Sequence, residues 1–199
     1  MTAFLANVGV NSSHRVRSPL YEDGSFILNP IPEPVAWAPP MLRLPQVWGE
    51  RAVHLDPDLV SPTRTYGDNC RSVPRAFALR AAKTGDEIHF LARLTPPGGP
   101  AGFYLVGKLV IEDVLEDVRS EPGSGWWDGN AHVRRARATA EWNGFWVFKG
   151  GSGSGLYRRA RPFRREQADR LFGHTWRWRD NRSELQTIGS YTRTIRRLP

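Results

Sequence analysis

Residues 85–118 read GDEIHFLARL, then TPPGGPA, then GFYLVGKLVIEDVLEDV. In the first run Ile88, Phe90, Ala92 and Leu94 alternate with His89, Leu91 and Arg93. In the second, Phe103, Leu105, Gly107, Leu109 and Ile111 alternate with Tyr104, Val106, Lys108 and Val110. A repeat of two, rich in β-branched and aromatic residues, marks strands, because successive side chains of an extended chain face opposite ways. The prolines and glycines between the runs supply the fixed and positive φ angles of a chain reversal. The stretch therefore predicts a β-hairpin at the centre of the core. Apolar residues on both faces suit either a tightly curved barrel or a sheet covered on one side by helices. Gly107 inside the second strand would permit the bend that curvature needs. The expected fold class is α+β, a small β-barrel flanked by short helices.

Outward from the hairpin, 3–10 (AFLANVGV) predicts an opening strand that runs into the polar loop Asn11, Ser12, Ser13, His14. That loop reads equally well as a site wall or as a turn whose side chains bond the local backbone. The turn 21–25 leads to a second expected strand, 26–31. Pro30, Pro32, Pro34, Pro39, Pro40 and Pro45 then forbid regular helix and central strand, so 30–66 reads as an extended surface excursion. A helix is expected at 75–83, closed by Gly85. The segment 120–131 is a loop carrying Trp126 and Trp127. A helix over 132–142 has Asn130 as its candidate cap, and 145–148 (FWVF) is a strand that enters GGSGSG. An extended segment at 156–162, a helix at 164–172 ended by Gly173, and a final helix within 184–197 complete the chain. No internal repeat is present, and one domain over 1–199 is expected.

The 199 residues suffice for one well-buried core, and no apolar run is long enough to span a membrane. The N-terminus lacks the basic, apolar and cleavage regions of a signal peptide. One cysteine, Cys70, rules out an internal disulfide, and together these features make the cytoplasm the expected compartment. Charge divides the chain. Residues 1–133 hold 12 Lys/Arg against 15 Asp/Glu, a net of −3, whereas residues 134–199 hold 16 against 5, a net of +11. Genomic bias accounts for Arg over Lys, 25 to 3, but not for that asymmetry. The basic part, about 134–199, is an electrostatic footprint for a polyanion, nucleic acid above all.

Aromatic residues interleaved with arginine sharpen that reading. Trp126, Trp127, Trp142, Trp146, Tyr157, Trp176 and Trp178 lie among Arg134, Arg135, Arg158, Arg159, Arg177 and Arg179. Bases stack on aromatic faces while arginines neutralise phosphates. Several of these tryptophans also fit core positions, FWVF and Trp142 in particular. The GGSGSG loop lacks the GK[ST] and GxGxxG patterns of nucleotide loops, so it reads first as a hairpin tip. Ser152 within it, with Lys149, Arg158 and Arg159 beside it, keeps a phosphate contact in view. The five histidines show no metal-ligand spacing, and neither a metal nor a cofactor is expected. Asp23 and Asp68 occupy polar turns, where acids and bases often sit, but turn-forming aspartate is the plainer reading. Cys70 has no sequence partner that would make it a nucleophile.

Several stretches together resemble a known family: ANVGVNSS (6–13), SPLYEDGSFILNPIPE (18–33), TYGD (65–68), the hairpin GDEIHFLARL with GFYLVGKL, NAHVRR (130–135), FWVFKGGSG (145–153) and IGSYTRTIR (188–196). They resemble the third of the nucleotide-modification-associated domain families, and the hairpin is similar to the PUA-like group with its EVE, ASCH and YTH modules. The loop Asn11-Ser12-Ser13 departs from the Asp/Asn-Ser-Thr-like segment expected there. The resemblance implies a PUA-like barrel and an association with DNA base modification, often in phage or anti-phage systems. The expected activity is nucleic-acid binding, DNA rather than RNA, with a modified or flipped base held in an aromatic pocket. Trp126, Trp127 and Trp146 would stack; Arg134, Arg135, Lys149, Arg158 and Arg159 would hold the backbone. Asn11, Ser12, Ser13, His14, His132 and Ser152 would supply polar contacts. The alternative is an enzyme of base modification, using Asp23 or Asp68 with His14 or His132 as acid and base.

Overall fold

The computed structural model describes residues 1–8, 16–39 and 51–199. The predicted hairpin is its centre. Strand β6, Glu87–Thr95, pairs antiparallel with β7, Gly102–Val118, from Glu87 opposite Val110 to Leu94 opposite Gly102. Strand β1, Ala3–Asn7, lies parallel to β6, and the short β2, Ser18–Pro19, pairs with the far end of the same edge. At the sheet's outer edge β10, Arg196–Arg197, runs antiparallel to β1.

Strand β7 is 17 residues long and outruns its partner. Its opposite edge carries two strands end to end. First β8, Phe145–Gly150, pairs along Ile111–Val118; then β9, Gly155–Pro162, pairs along Tyr104–Lys108. The glycine-rich segment between them is therefore not the tip of a hairpin, as its composition suggests, because both strands run antiparallel to β7. It is a kink in one path. The Gly151 N–H donates to the Val110 carbonyl, and the Ser154 hydroxyl oxygen accepts from the Val110 N–H at 2.8 Å. Gly107 also does more than bend its strand. A Cβ there would lie 2.6 Å from the Gly155 carbonyl oxygen, so only glycine lets β9 approach.

Beyond β8 lies β5, Thr65–Asp68, the sheet's other edge. A small separate ladder joins β3, Ile31–Pro32, to β4, Val53–His54, and closes the base of the excursion. The expected strand over 26–31 is reduced to an isolated bridge between Leu20 and Phe26 plus the two residues of β3. Prolines at 30, 32 and 34 withhold the donors a longer ladder needs.

The expected barrel is not formed; the sheet stays open. Closure would require β5 to pair with the opposite edge. Instead the free edge of β5 is satisfied locally: Thr65 exchanges backbone hydrogen bonds with Asp58, and the Gly67 N–H donates to the Asp56 carboxylate at 3.1 Å. Apolar residues on both faces are covered by helices. Phe4, Ile88, Phe90, Leu109, Tyr66 and Phe148 pack beneath the 3-10 helix Pro74–Ala81, the form taken by the expected helix over 75–83. On the other face Leu5, Leu91 and Phe103 pack against α2, Arg165–Phe172, and α3, Glu184–Tyr191. Val118, Phe145 and Val147 pack against α1, Ala131–Thr139. Asn130 caps α1 as its sequence predicts, its side chain accepting from the His132 N–H at 2.9 Å. The last helix ends at Tyr191 because the chain must extend again to pair with β1. Among the described residues no helix is long and apolar enough to cross a membrane.

Candidate nucleic-acid interface and a buried polar seam

Two regions gather candidate functional side chains, and they differ in kind. The first is β9. Gly107 pairs with Leu156 and Leu105 with Arg161, so five steps along β9 span two along β7. Three extra residues therefore bulge outward, a device that re-aims side chains. The Ala160 N–H ties the bulge to the Gly24 carbonyl at 2.9 Å. The result is an open groove of about 540 Å³ lined by Tyr157, Arg158, Arg159, Ala160, Arg161 and Pro162. The Arg161 guanidinium lies 4.2 Å above the Tyr157 ring. Arg158, Arg159 and Arg161 are exposed and make no salt bridge with any described residue.

The second region lies where β4, β5 and the N-terminus of α1 meet. Strand β5 is buried along its length. Its two faces carry different chemistry, because Tyr66 and Asp68 point one way and Thr65 and Gly67 the other. On the first face Asp68, 2% exposed, accepts from the Tyr66 hydroxyl at 3.0 Å and the Asn69 N–H at 2.9 Å, and lies 2.9 Å from Arg75. Burial pushes the Asp68 carboxyl up, against the pull of the Arg75 charge. Burial likewise drives the Tyr66 phenol far above its usual range. On the second face the His132 ring covers Gly67 so closely that a Cβ there would lie 2.5 Å from its Cδ2. The Asn130 amide donates to the Thr65 hydroxyl at 3.0 Å. Asp56 joins the two faces at the strand edge: one oxygen takes the Gly67 N–H, and the other lies 3.3 Å from His132 Nε2.

A second histidine–carboxylate pair stands two residues before Asp56. His54 Nδ1 lies 2.7 Å from Glu33, and both side chains are buried. Burial works to raise the Glu33 carboxyl, but His54, Trp37 and Arg135 together hold it below its usual value. The His54 ring packs on Trp37 at 5.4 Å, and the same indole has the Arg134 and Arg135 guanidinium groups at 5.9 and 5.7 Å.

The sequence-predicted residues are thus distributed unevenly. Arg158 and Arg159 line the groove. His132, Arg134 and Arg135 belong to the seam. Trp146 is 8% exposed in the core on the Asp68 face of β8, whereas Trp126 and Trp127 pack near Phe145 and Val147 on the other face. The structure therefore does not bring the three tryptophans to one pocket. Trp126 and Trp127 meet edge to face at 5.4 Å, their N–H groups donating to Asp113 and to the Gly123 carbonyl. Lys149 is paired with Glu112, and Ser152 is exposed in the kink. Asp23 takes the Ser25 hydroxyl and N–H, which hold its carboxyl down; it is a turn residue. Burial pushes the Cys70 thiol up, away from nucleophilic use at neutral pH. Asn11, Ser12, Ser13 and His14 lie outside the described residues.

This arrangement, buried titratable groups at one end of the sheet and bare arginines along its edge, accompanies a match over residues 2–197 to the family described as nucleotide modification associated domain 3. The chain belongs to that family. No curated protein and no solved structure matches it. Sequence reasoning missed Glu33, Trp37, His54, Asp56 and Arg75 in this member of the nucleotide modification associated family. HLDPD at 54–58, an alternation of titratable residues inside an otherwise proline-broken excursion, was the signal for His54 and Asp56; Glu33, Trp37 and Arg75 lie outside it.

Proposed function

We propose that this protein binds nucleic acid through the bulged strand β9, in the service of nucleotide modification. The observation that carries the reading is the placement of Arg158, Arg159 and Arg161 in an open groove with no salt bridge to a described residue, the Asp23 carboxylate feeling the Arg159 charge only at longer range. An arginine already paired gains little from a phosphate, while an unpaired, exposed one releases counterions on contact. The aromatic face beside these arginines is Tyr157, braced by Arg161, and it is the group placed to stack on a base. Trp126, Trp127 and Trp146 pack in or against the core, and recognition of a modified base through them is not part of the proposal. Association with DNA and RNA oligonucleotides, followed by fluorescence anisotropy at a series of salt concentrations, tests it. The double variant Arg158→Ala/Arg159→Ala lowers the salt slope by about 1 to 2 and weakens all sequences alike. An unchanged slope overturns the assignment.

A further inference from the structure

We infer that the seam between β5 and α1 is a second site, in which His132, oriented by Asp56, exchanges a proton with a bound nucleotide. It is independent of the β9 groove and rests for its substrate class on the family membership.

The geometry is that of an oriented base. Asp56 is held by the Gly67 N–H through one oxygen and faces His132 Nε2 with the other. A carboxylate on one ring nitrogen fixes the tautomer, so Nε2 carries the hydrogen and Nδ1 is left to accept one. The step balances simply: a substrate O–H or N–H gives its proton to Nδ1, the substrate keeps the electron pair, and the imidazolium is stabilised by Asp56. The other charged and titratable groups facing this ring across β5 are Asp68, Tyr66 and Arg75, already bonded to one another. That leaves Asp56 as the one carboxylate committed to His132.

The rest of the seam has features a nucleotide would use. Arg135 lies one turn further along α1, and its buried Nε has no hydrogen-bond partner among the described residues. A buried guanidinium donor without an acceptor is costly, and a phosphate or base carbonyl oxygen would satisfy it. Trp37, partly exposed, offers an indole face between His54 and the two arginines. Were the seam only a clasp holding the excursion to the helix, apolar residues would hold it at less cost than two buried histidine–carboxylate pairs.

The test follows the His132 ring by NMR through a pH titration, alone and with dAMP, dCMP, dGMP or dTMP. At least one nucleotide is expected to shift the ring resonances saturably and to move the titration midpoint by about 0.5 unit, since a ligand touching the ring must be linked to its protonation. The response persists in Arg158→Ala/Arg159→Ala. In Asp56→Asn nucleotide affinity drops about tenfold. Ring resonances and midpoint unmoved by all four nucleotides at about 10 mM overturn the inference. So does a response that vanishes with the β9 arginines. Should Asp56→Asn not fold, the wild-type titration decides alone.

Discussion

The edge strand β9 and the seam beside β5 hold charge in opposite ways. Along β9, arginines stand in solvent with no acid within salt-bridge reach among the described residues. In the seam Glu33, His54, Asp68 and His132 are buried, each with a named partner. Exposed charge costs the fold little and acts over a Debye length, so it suits capture of a polyanion. Buried charge is tolerated only with tight partners, and removing one partner strands the other. Substitutions at the two places should therefore trade stability against binding in opposite proportion.

The largest effect on stability is expected at Asp68. Asp68→Ala leaves the Tyr66 hydroxyl, the Asn69 N–H and Arg75 without their shared acceptor, and should cost on the order of 3 kcal/mol in urea unfolding. A loss below about 1 kcal/mol would mean that the seam is far wetter than its burial implies. Next comes Gly67→Ala, which drives a methyl into the His132 ring. About 1–3 kcal/mol of destabilisation is expected, with displaced His132 resonances as the local readout. A tolerated alanine with unmoved resonances would contradict the packing of α1 on β5.

A smaller, pH-dependent effect is expected at Glu33. Its carboxyl is held below the usual value, so its contribution is present above the ordinary carboxylate value of about 4.5 and is lost as pH falls through the lower folded value. The advantage of wild type over Glu33→Gln should shrink on that acid side. Asp68, whose carboxyl is raised, carries the opposite sign: ionising it as pH rises through its raised value works against the fold. An advantage over Glu33→Gln that stays constant from neutral pH to below 4 would break the assignment of His54 and Arg135 as its partners. The least effect on stability belongs to Arg158→Ala/Arg159→Ala, within about 0.5 kcal/mol of wild type by thermal unfolding. A larger loss would show that these arginines brace the bulge rather than face a ligand.

The strand pattern of 85–118, the Asn130 cap and the Gly173 helix end were legible because each follows from local spacing and backbone chemistry. The barrel was not, because closure is a property of edges. The backbone of Asp58 and the side chain of Asp56 together satisfy the edge of β5, and no periodicity announces that. The glycine kink was misread for a related reason: glycine content marks where the chain can deviate, not whether it then reverses. Of the site, Arg158 and Arg159 were readable from charge and position. The seam was hidden because its members come from 33, 37, 54, 56, 75 and 132, brought together by long-range pairing.

The end-to-end seating of β8 and β9 on one edge of β7 makes the segment 151–154 a register counter. Residues added at its exposed tip, Ser152–Gly153, would loop outward and leave both strands where they are, provided Ser154 still reaches Val110. Removing a single residue there has no such escape. The three-residue bulge of β9 would have to shorten or its whole pairing slip by one, and in an extended chain a slip of one turns every side chain to the opposite face. Arg158, Arg159 and Arg161 would then exchange sides with their neighbours, altering what the edge presents while the core beneath it stays the same.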